Sequence, residues 1–258
     1  MLLKEIIDSI ESVAPLQYQE PWDNSGLQIG VLHRDISSVL LAIDVTEAVL
    51  DEAISRSCNL IVSHHPLFFH GVKSLTGQTA QQRIIVRAIE HEIAIYSSHT
   101  AMDVAPNGVS WRMAHMLGLQ NCSVLAPNSV NSKYGLGVLG ELPIPISGTG
   151  LLSHVKTTFS APILRYTNPP KQTLQRIAIC GGAGADLLEA AIRAGADAYL
   201  SADFKYHELQ DAIGQIMAID IDHWISEQFT RDIFAEILQH KVPTHIAQTD
   251  CTHVHIFE

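Results

Sequence analysis

The chain has 258 residues, of which 47% are hydrophobic and only 17% are charged. This composition supplies enough apolar side chains for one large core or two smaller ones, and it is not the composition of a disordered chain. The net charge of −11 at pH 7 argues against a broad nucleic-acid interface, which requires clustered lysines and arginines. Local binding of anions through a metal stays compatible with this charge.

The sequence predicts a cytoplasmic protein that does not contact a membrane. Its apolar runs have the length of strands rather than of transmembrane helices. Its first residues begin an amphipathic helix and lack the basic start and apolar centre of a signal peptide. The cysteines are scattered, without a CxxC pair, which is typical of reduced thiols; they are Cys58, Cys122, Cys180 and Cys251.

Short apolar runs alternate with amphipathic segments through the first part of the chain. An amphipathic helix comes first, and Pro15 ends it. Strands and helices then alternate, with the apolar spacing of each type. The predicted helices cover residues 2–13, 46–57, 78–92 and a segment that ends at 117, and the predicted strands cover 38–44, 59–63 and 93–97.

The alternation weakens over residues 134–171, where prolines and glycines interrupt short strands and one helix. We interpret this stretch as the connection between two lobes. Beyond it the alternation resumes. Strands are predicted at 176–180, 198–200 and 216–221, and helices at 187–194, from 206 onward and at 224–240.

The predicted fold class is α/β, with two similar lobes whose mixed sheets are flanked by helices. The first lobe is predicted to cover residues 1–130 and the second residues 131–258. The second lobe could also close onto the first through a C-terminal strand.

Three of the predicted strands lead to side chains that could bind a metal. In open α/β sheets, functional groups gather beyond the carboxyl ends of the strands. A histidine and a glutamate spaced i, i+4 at the start of a helix can also face one point. The residues concerned are His64 and His65, then His99 and Asp103, and finally His223 and Glu227.

Each of these residues also has an ordinary structural interpretation. A single histidine at a strand end is usually a hydrogen-bonded surface or core residue, and Asp103 alone is typical of a helix cap or turn. His223 and Glu227 alone are typical of a helix pair. The adjacent histidines would diverge on an extended strand, but before Pro66 they could address two neighbouring ions. The shared location after apolar strands favours a metal site, which we expect between the two lobes.

Two other patterns are better explained by structure than by binding. Residues Gly181–Gly184 resemble a phosphate-binding turn but lack the spacing of a dinucleotide fingerprint, so we predict a tight turn from strand to helix. His253 and His255 alternate on a predicted terminal strand, and a structural role is expected for both.

Several motifs make the chain similar to the family named GTP cyclohydrolase 1 type 2, also described as dinuclear-metal-centre toroidal hexamers. The resemblance covers nearly the whole chain and depends on the order of its four motifs. These are Glu20–Leu27; Ser63–Leu67 with Lys73–Leu75; Tyr96–Thr100 with Asp103; and Ser201–Asp203 with Lys205–His207 and Ile219–Glu227.

The resemblance implies a metal-ligand set, a bridging role for Glu227 and a ring of six subunits. The chain is similar to the short form of the family, without an inserted middle domain. Met102 and Trp224 depart from the residues expected at their positions, but every ligand position is retained. The implied ligands are His64, His65, Asp103, His223 and Glu227.

The first functional hypothesis is a metal-dependent hydrolase that acts on a nucleotide or another phosphorylated small molecule. Imidazole and carboxylate ligands suit Zn, Mn, Fe, Co or Ni, and the resemblance implies two such divalent ions per chain. Two adjacent ions would support hydrolysis, with the purine ring opening of GTP as the reaction that the family name indicates. His99 is the candidate catalytic residue, either as a proton shuttle or as an orienter of a ligand.

The second hypothesis is a metal-handling protein that stores, delivers or inserts ions. Its partner would be an apo-metalloprotein, and it would turn over no small molecule. An interaction scaffold with vestigial metals is a third account, although no specific motif indicates it. An enzyme should retain its ions, whereas a donor should exchange them readily with chelators.

Overall fold

The computed structural model describes residues 1–250 and has a mixed α/β fold with two mixed sheets flanked by helices, which confirms the predicted fold class. The chain forms two compact units. The first combines Met1–Met102 with the segment from Thr230 onward, and the second is Asp103–Phe229. These bounds differ from those of the predicted lobes, 1–130 and 131–258.

The first unit contains a five-stranded sheet in the order β1-β4-β3-β2-β11. The pairs among β4, β3, β2 and β11 are parallel, and the edge strand β1 is antiparallel to β4. The strands are β1 (Gly26–Ile29), β2 (Val39–Ala42), β3 (Leu60–Ser63), β4 (Ala94–Ser97) and β11 (Thr244–Ile246). The helices are α1 (Leu3–Glu11), α2 (Glu47–Ser55), α3 (Ala80–Glu90) and α10 (Thr230–Leu238), and α4 (Thr100–Asp103) leads into the second unit.

The apolar runs identified in the sequence form the centre of this first sheet. Every residue of β2, β3 and β4 is buried, as expected for parallel strands covered on both faces. Helices α2 and α3 contribute Leu50 and Ile84 to one apolar cluster with these strands. Helix α1 buries Leu3, Ile6, Ile7 and Ile10, which are spaced as one face of an amphipathic helix.

The second unit contains a six-stranded sheet in the order β5-β6-β8-β9-β10-β7. Its strands are β5 (Gln120–Pro127), β6 (Gly135–Ile146), β7 (Arg165–Tyr166), β8 (Leu174–Ala183), β9 (Ala198–Ala202) and β10 (Met217–Asp220). Its helices are α5 (Val109–Met116), α6 (Gly148–Phe159), α7 (Leu188–Arg193), α8 (Tyr206–Ala212) and α9 (His223–Glu227). Alternate residues of the central strands enter two separate apolar clusters, so helices or loops cover both faces of the sheet.

The interpretation of residues 134–171 as a connection between lobes is wrong. Strand β6 pairs with both β5 and β8, and Phe159 of α6 is buried in the core of the second unit. The prolines Pro143 and Pro145 lie in the exposed end of β6, beside a shift in register. Proline is tolerated at such irregular positions because few ladder hydrogen bonds depend on its missing N–H.

The single helix predicted over 224–240 is also wrong, because the structure has two helices there. Helix α9 ends at Glu227, and α10 begins at Thr230. The break coincides with the unit boundary, since α9 belongs to the second unit and α10 contacts α1, β2 and β11 in the first. Strand β11 pairs with β2 in parallel, which explains why the C-terminal segment belongs to the first unit.

No helix among residues 1–250 has the length and apolar character needed to span a membrane. Three cysteines in this range, Cys58, Cys122 and Cys180, are free thiols. The predicted terminal strand with His253 and His255 lies outside the described residues.

Candidate metal centre

Three histidines of the first unit lie together at the carboxyl ends of its strands because β3 and β4 are parallel neighbours. Ser63 pairs with Ser97 at the carboxyl ends of the two strands. His65 and His99 each lie two residues beyond those positions, so the register brings them side by side. Adjacent strands are only about 5 Å apart, which is why two separate motifs contribute to one cluster.

The rings of His64, His65 and His99 form a nearly equilateral group. Their centroids are separated by 5.1 Å, 5.2 Å and 5.3 Å. One ring nitrogen from each histidine lies within 4.8 Å of the other two, a spacing that could hold a metal ion. His64 is completely buried, whereas the other two rings are partly accessible.

In each ring of this cluster, Nδ1 bonds to an oxygen acceptor. His64 Nδ1 donates to the carbonyl oxygen of Ser98 at 3.1 Å. His65 Nδ1 donates to Asp44 Oδ1 at 2.9 Å, and His99 Nδ1 donates to a carboxylate oxygen of Asp23 at 2.9 Å. A carbonyl or carboxylate oxygen only accepts, so Nδ1 carries the proton in all three rings and Nε2 is the nitrogen that can ligate. This is the usual hydrogen-bonding pattern of metal-binding histidines.

The carboxylate that holds His99 is itself fixed by several hydrogen bonds. The side chain of Asp23 is fully buried and accepts hydrogen bonds from Ser25 Oγ at 2.7 Å and Thr100 Oγ at 2.6 Å. Burial alone would raise the pKa of Asp23, but the hydrogen bonds from His99, Thr100 and Ser25, together with the charge that His99 carries when it is protonated, outweigh it and lower the pKa well below its usual value. Asp23 is therefore an anion that fixes both the position and the tautomer of His99.

In the second unit, His223 and Glu227 lie on one face of α9, directly after β10. Asp222 caps this helix by accepting a hydrogen bond from Ile225 N at 3.1 Å. His223 Nδ1 bonds to Asp203 Oδ2 at 2.7 Å, and His223 Nε2 lies 3.0 Å from Glu227 Oε2. The predicted i, i+4 arrangement is present, and Asp203 orients His223 as Asp23 orients His99.

The carboxylate of Glu227 occupies a space that only glycine at position 182 leaves open. A Cβ atom at Gly182 would lie 2.1 Å from Glu227 Oε1, and the backbone there has φ +64°. Gly182 N donates to Ser226 Oγ at 2.9 Å, which ties the end of β8 to α9. The glycines that resembled a phosphate turn therefore lie at the end of a strand and give room to a buried carboxylate.

Asp103 is another buried carboxylate of this unit and lies at the end of α4. Burial, followed by the charges of Asp103 and Glu227, raises the pKa of Cys180 to about 12. Without a bound metal, Cys180 is therefore a neutral thiol at physiological pH, and it belongs to none of the candidate ligand groups among the described residues. The atoms of the candidate site that could bind a metal are imidazole nitrogens and carboxylate oxygens, which suit divalent zinc or a neighbouring transition metal.

The structure thus brings His64, His65 and His99 together in the first unit, and His223 and Glu227 in the second. The aspartates that orient these histidines were not predicted from the sequence, although Asp23 and Asp203 lie inside the motifs that carry the family resemblance. The third orienting aspartate, Asp44, could have been identified from the parallel register of β2 and β3. Ala42 pairs with Ser63, so the position of Asp44 is level with that of His65.

Comparisons with known proteins agree over almost the full chain. The model of the family Duf34/NIF3 (NGG1p interacting factor 3) matches residues 1–255. A GTP cyclohydrolase 1 type 2 homolog from Streptococcus pneumoniae is 33% identical over 246 residues, which is 93% of this chain and 92% of the relative. Among solved structures, a Staphylococcus aureus hypothetical protein has 27% identity and a TM-score of 0.91, and covers 100% of this chain and 99% of its own. A Bacillus cereus protein related to NIF3 has 25% identity and a TM-score of 0.88, with 96% and 97% covered.

Proposed function

The chain belongs to the Duf34/NIF3 family, and from this premise we propose that it binds two divalent metal ions and acts as a metal-dependent hydrolase. The proposed substrate is a nucleotide or another phosphorylated small molecule. The printed name of the Streptococcus pneumoniae relative, GTP cyclohydrolase 1 type 2 homolog, supports hydrolysis as the reaction class. Similarity of fold alone would not support a reaction class, because one fold hosts many chemistries.

The observation that carries this proposal is the orientation of the imidazoles. Each Nδ1 in the histidine cluster donates to a carbonyl or carboxylate oxygen, and so does Nδ1 of His223. Such second contacts cost side-chain freedom and are typical of metal ligands. The proposed ligand set is the one that the family resemblance implies, and in it Glu227 would be the carboxylate shared by the two ions. Its members are His64, His65, Asp103, His223 and Glu227.

The chain's own residues would then have separate roles in proton transfer and positioning. Bound ions would supply Lewis acidity and charge neutralisation for attack by water. His99 has its Nδ1 committed to Asp23, so its Nε2 is the atom that can move a proton at the substrate. We therefore assign the proton-shuttle role to His99 and the positioning role to Asp23.

The proposed assembly is a toroidal homohexamer in the cytoplasm. The family resemblance and the full-length match to the relatives support the ring, and the free thiols of Cys58, Cys122 and Cys180 support a reducing location. Multi-angle light scattering at micromolar protein concentration should give the mass of six chains. A stable monomer or dimer under those conditions would rule out the hexamer.

A metal-handling protein is the second candidate function, with an apo-metalloprotein as the partner. The accessibility of His223 favours it, because 32% of this side chain is exposed and its partner Asp203 is more exposed still. A metal ion held by an accessible ligand can pass to an incoming chelator or partner protein more easily than an ion held only by buried ligands. Rapid loss of the ions to a chelator, together with no turnover, would support this candidate.

The deciding experiment measures metal content and turnover on the same preparations. Natively purified protein would be analysed for bound metals, then stripped, reloaded with Zn or Mn and screened against nucleotides and phosphoesters. Hydrolysis that is absent in His64→Ala and Glu227→Ala, and retained in a variant of the exposed His91, is the expected result. Wild-type protein that binds two ions tightly but hydrolyses none of the compounds would contradict the hydrolase proposal.

A further inference from the structure

Two aromatic side chains stand exposed beside the histidine cluster. Trp22 is 60% exposed and Phe69 is 43% exposed, although aromatic residues of this size are usually more buried. The ring centroids of Trp22 and Phe69 lie 5.6 Å and 5.7 Å from that of His99, and both rings meet the histidine edge-on. The exposed apolar surface is therefore next to the proposed proton-shuttle residue.

The two loops that carry these aromatics are tied to each other. Asn24 Nδ2 donates to the carbonyl oxygen of Phe68 at 2.6 Å, and Gln28 Nε2 donates to the carbonyl oxygen of Asn24 at 2.7 Å. Gln81 Nε2 holds the second loop through the carbonyl oxygen of Leu67 at 2.8 Å. The aromatic pair is thus preorganised, which lowers the entropic cost of binding a ligand.

A cavity of about 610 Å³ opens at this pair. Its volume is within the usual range for small-molecule sites, which combine apolar walls with a few polar groups. Here the aromatic rings and Val72 are the apolar part, and His70 and Gln81 provide the polar groups.

We infer that Trp22 and Phe69 form an aromatic platform that binds a planar heteroaromatic ring of the substrate. This inference rests on the proposed function and names the residues that select the substrate. The ring centroids of the pair are 6.3 Å apart at an angle of 36°. A ring sandwiched between them would need about 7 Å, two van der Waals separations. The ligand ring therefore stacks on the open face of Trp22, and its polar end extends toward His99 and the neighbouring histidines.

The test compares ligands with and without a planar ring on metal-loaded protein. Isothermal titration would measure binding of guanosine 5′-monophosphate and of ribose 5-phosphate, which carries the same phosphate and sugar but no base. The variants are Trp22→Ala, Trp22→Phe and Phe69→Ala. Tyr206→Ala is the matched control, because Tyr206 is 68% exposed and lies in the second unit.

The nucleotide should bind more tightly than ribose 5-phosphate to the wild-type protein. Trp22→Ala should weaken nucleotide binding roughly 5- to 150-fold, the range expected for loss of base–aromatic stacking. Phe69→Ala should act in the same direction, whereas Trp22→Phe and Tyr206→Ala should stay within about twofold of wild type. Metal content and melting temperature should be unchanged in all four variants.

Three results would overturn the platform. Equal binding of the two ligands, or undiminished nucleotide binding by Trp22→Ala, would show that no ring is recognised there. A smaller assembly mass for Trp22→Ala would show that the exposed ring covers a second copy of the chain instead. Wild-type protein that binds no metal would refute the proposed function, whereas metal-loaded protein with base-independent binding would refute only the platform.

Discussion

Replacement of Gly182 by alanine tests whether the Glu227 carboxylate needs the space that this glycine leaves. The added Cβ would lie 2.1 Å from Glu227 Oε1 and 3.5 Å from a ring carbon of His223. The first distance is far below van der Waals contact, so the carboxylate must move. Glu227 is 2% exposed, and it therefore has little room in which to move without disturbing its neighbours.

Two separate costs are expected from this substitution. The left-handed backbone, with φ +64° at Gly182, costs alanine about 1–2 kcal/mol, and overpacking at the buried carboxylate adds about 1–3 kcal/mol. Gly195→Ala is the matched control, because Gly195 has φ +73° and nothing within 4 Å of the added atom. The control should therefore show the backbone cost without the overpacking cost.

Calorimetric melting of the metal-free variants would measure the difference, at about 2–4 °C for each kcal/mol in a chain of this size. Titration with Zn or Mn should show metal affinity lowered by about 10- to 100-fold in Gly182→Ala and unchanged in Gly195→Ala. The double variant with Glu227→Ala should lose the excess cost, since the clashing atom is gone. Equal melting temperatures for the two single variants, with wild-type metal affinity in both, would refute the reasoning.

Glu227→Ala should lower the occupancy of both ions, and Glu227→Gln should be nearly as damaging, because a shared carboxylate offsets the repulsion between two cations. Asp103→Ala should chiefly affect one ion. A titration in which Glu227→Ala binds two ions with wild-type affinity would exclude the bridging role. His64→Ala and His65→Ala should each weaken metal binding in a folded protein, whereas full occupancy of two ions in the double variant would remove both from the site. The pKa of Asp23 is lowered on folding, so its carboxylate stabilises the folded state at neutral pH, and this contribution is lost as the pH falls through about 4 and below. Melting curves of wild type and Asp23→Asn should therefore converge in acid, and a constant difference from pH 7 to pH 3 would contradict this assignment.

The central strands of the first sheet could be predicted because burial on both faces leaves a continuous apolar run. Strands β2, β3 and β4 were each expected within a few residues of their observed ends. The edge strand β1 was missed, because it is short and only partly buried and lies in a segment that resembles a polar loop. Strand β5 was missed for a similar reason, since none of its residues is buried.

The break between α9 and α10 could not be inferred from local periodicity. The apolar residues Ile225, Phe229 and Ile233 keep an i, i+4 spacing across the break, so the sequence predicts one helix. The break depends instead on contacts that are distant in the chain, such as those of α10 with α1 and β2. Pairing of β11 with β2 joins residues about 205 positions apart (244 − 39), and no local pattern specifies such a pairing.

The candidate ligands were easier to predict than the residues that orient them, and strand geometry explains the difference. A histidine or carboxylate directly after an apolar strand is conspicuous in the sequence, whereas an aspartate in a turn has several ordinary roles. The orienting role of Asp44 follows only once the parallel register sets it level with His65, and that of Asp203 only once β9 and β10 are known to pair. A shift of β3 by one residue would turn His64 and His65 to opposite faces, so the complete burial of this strand also maintains the geometry of the histidine cluster.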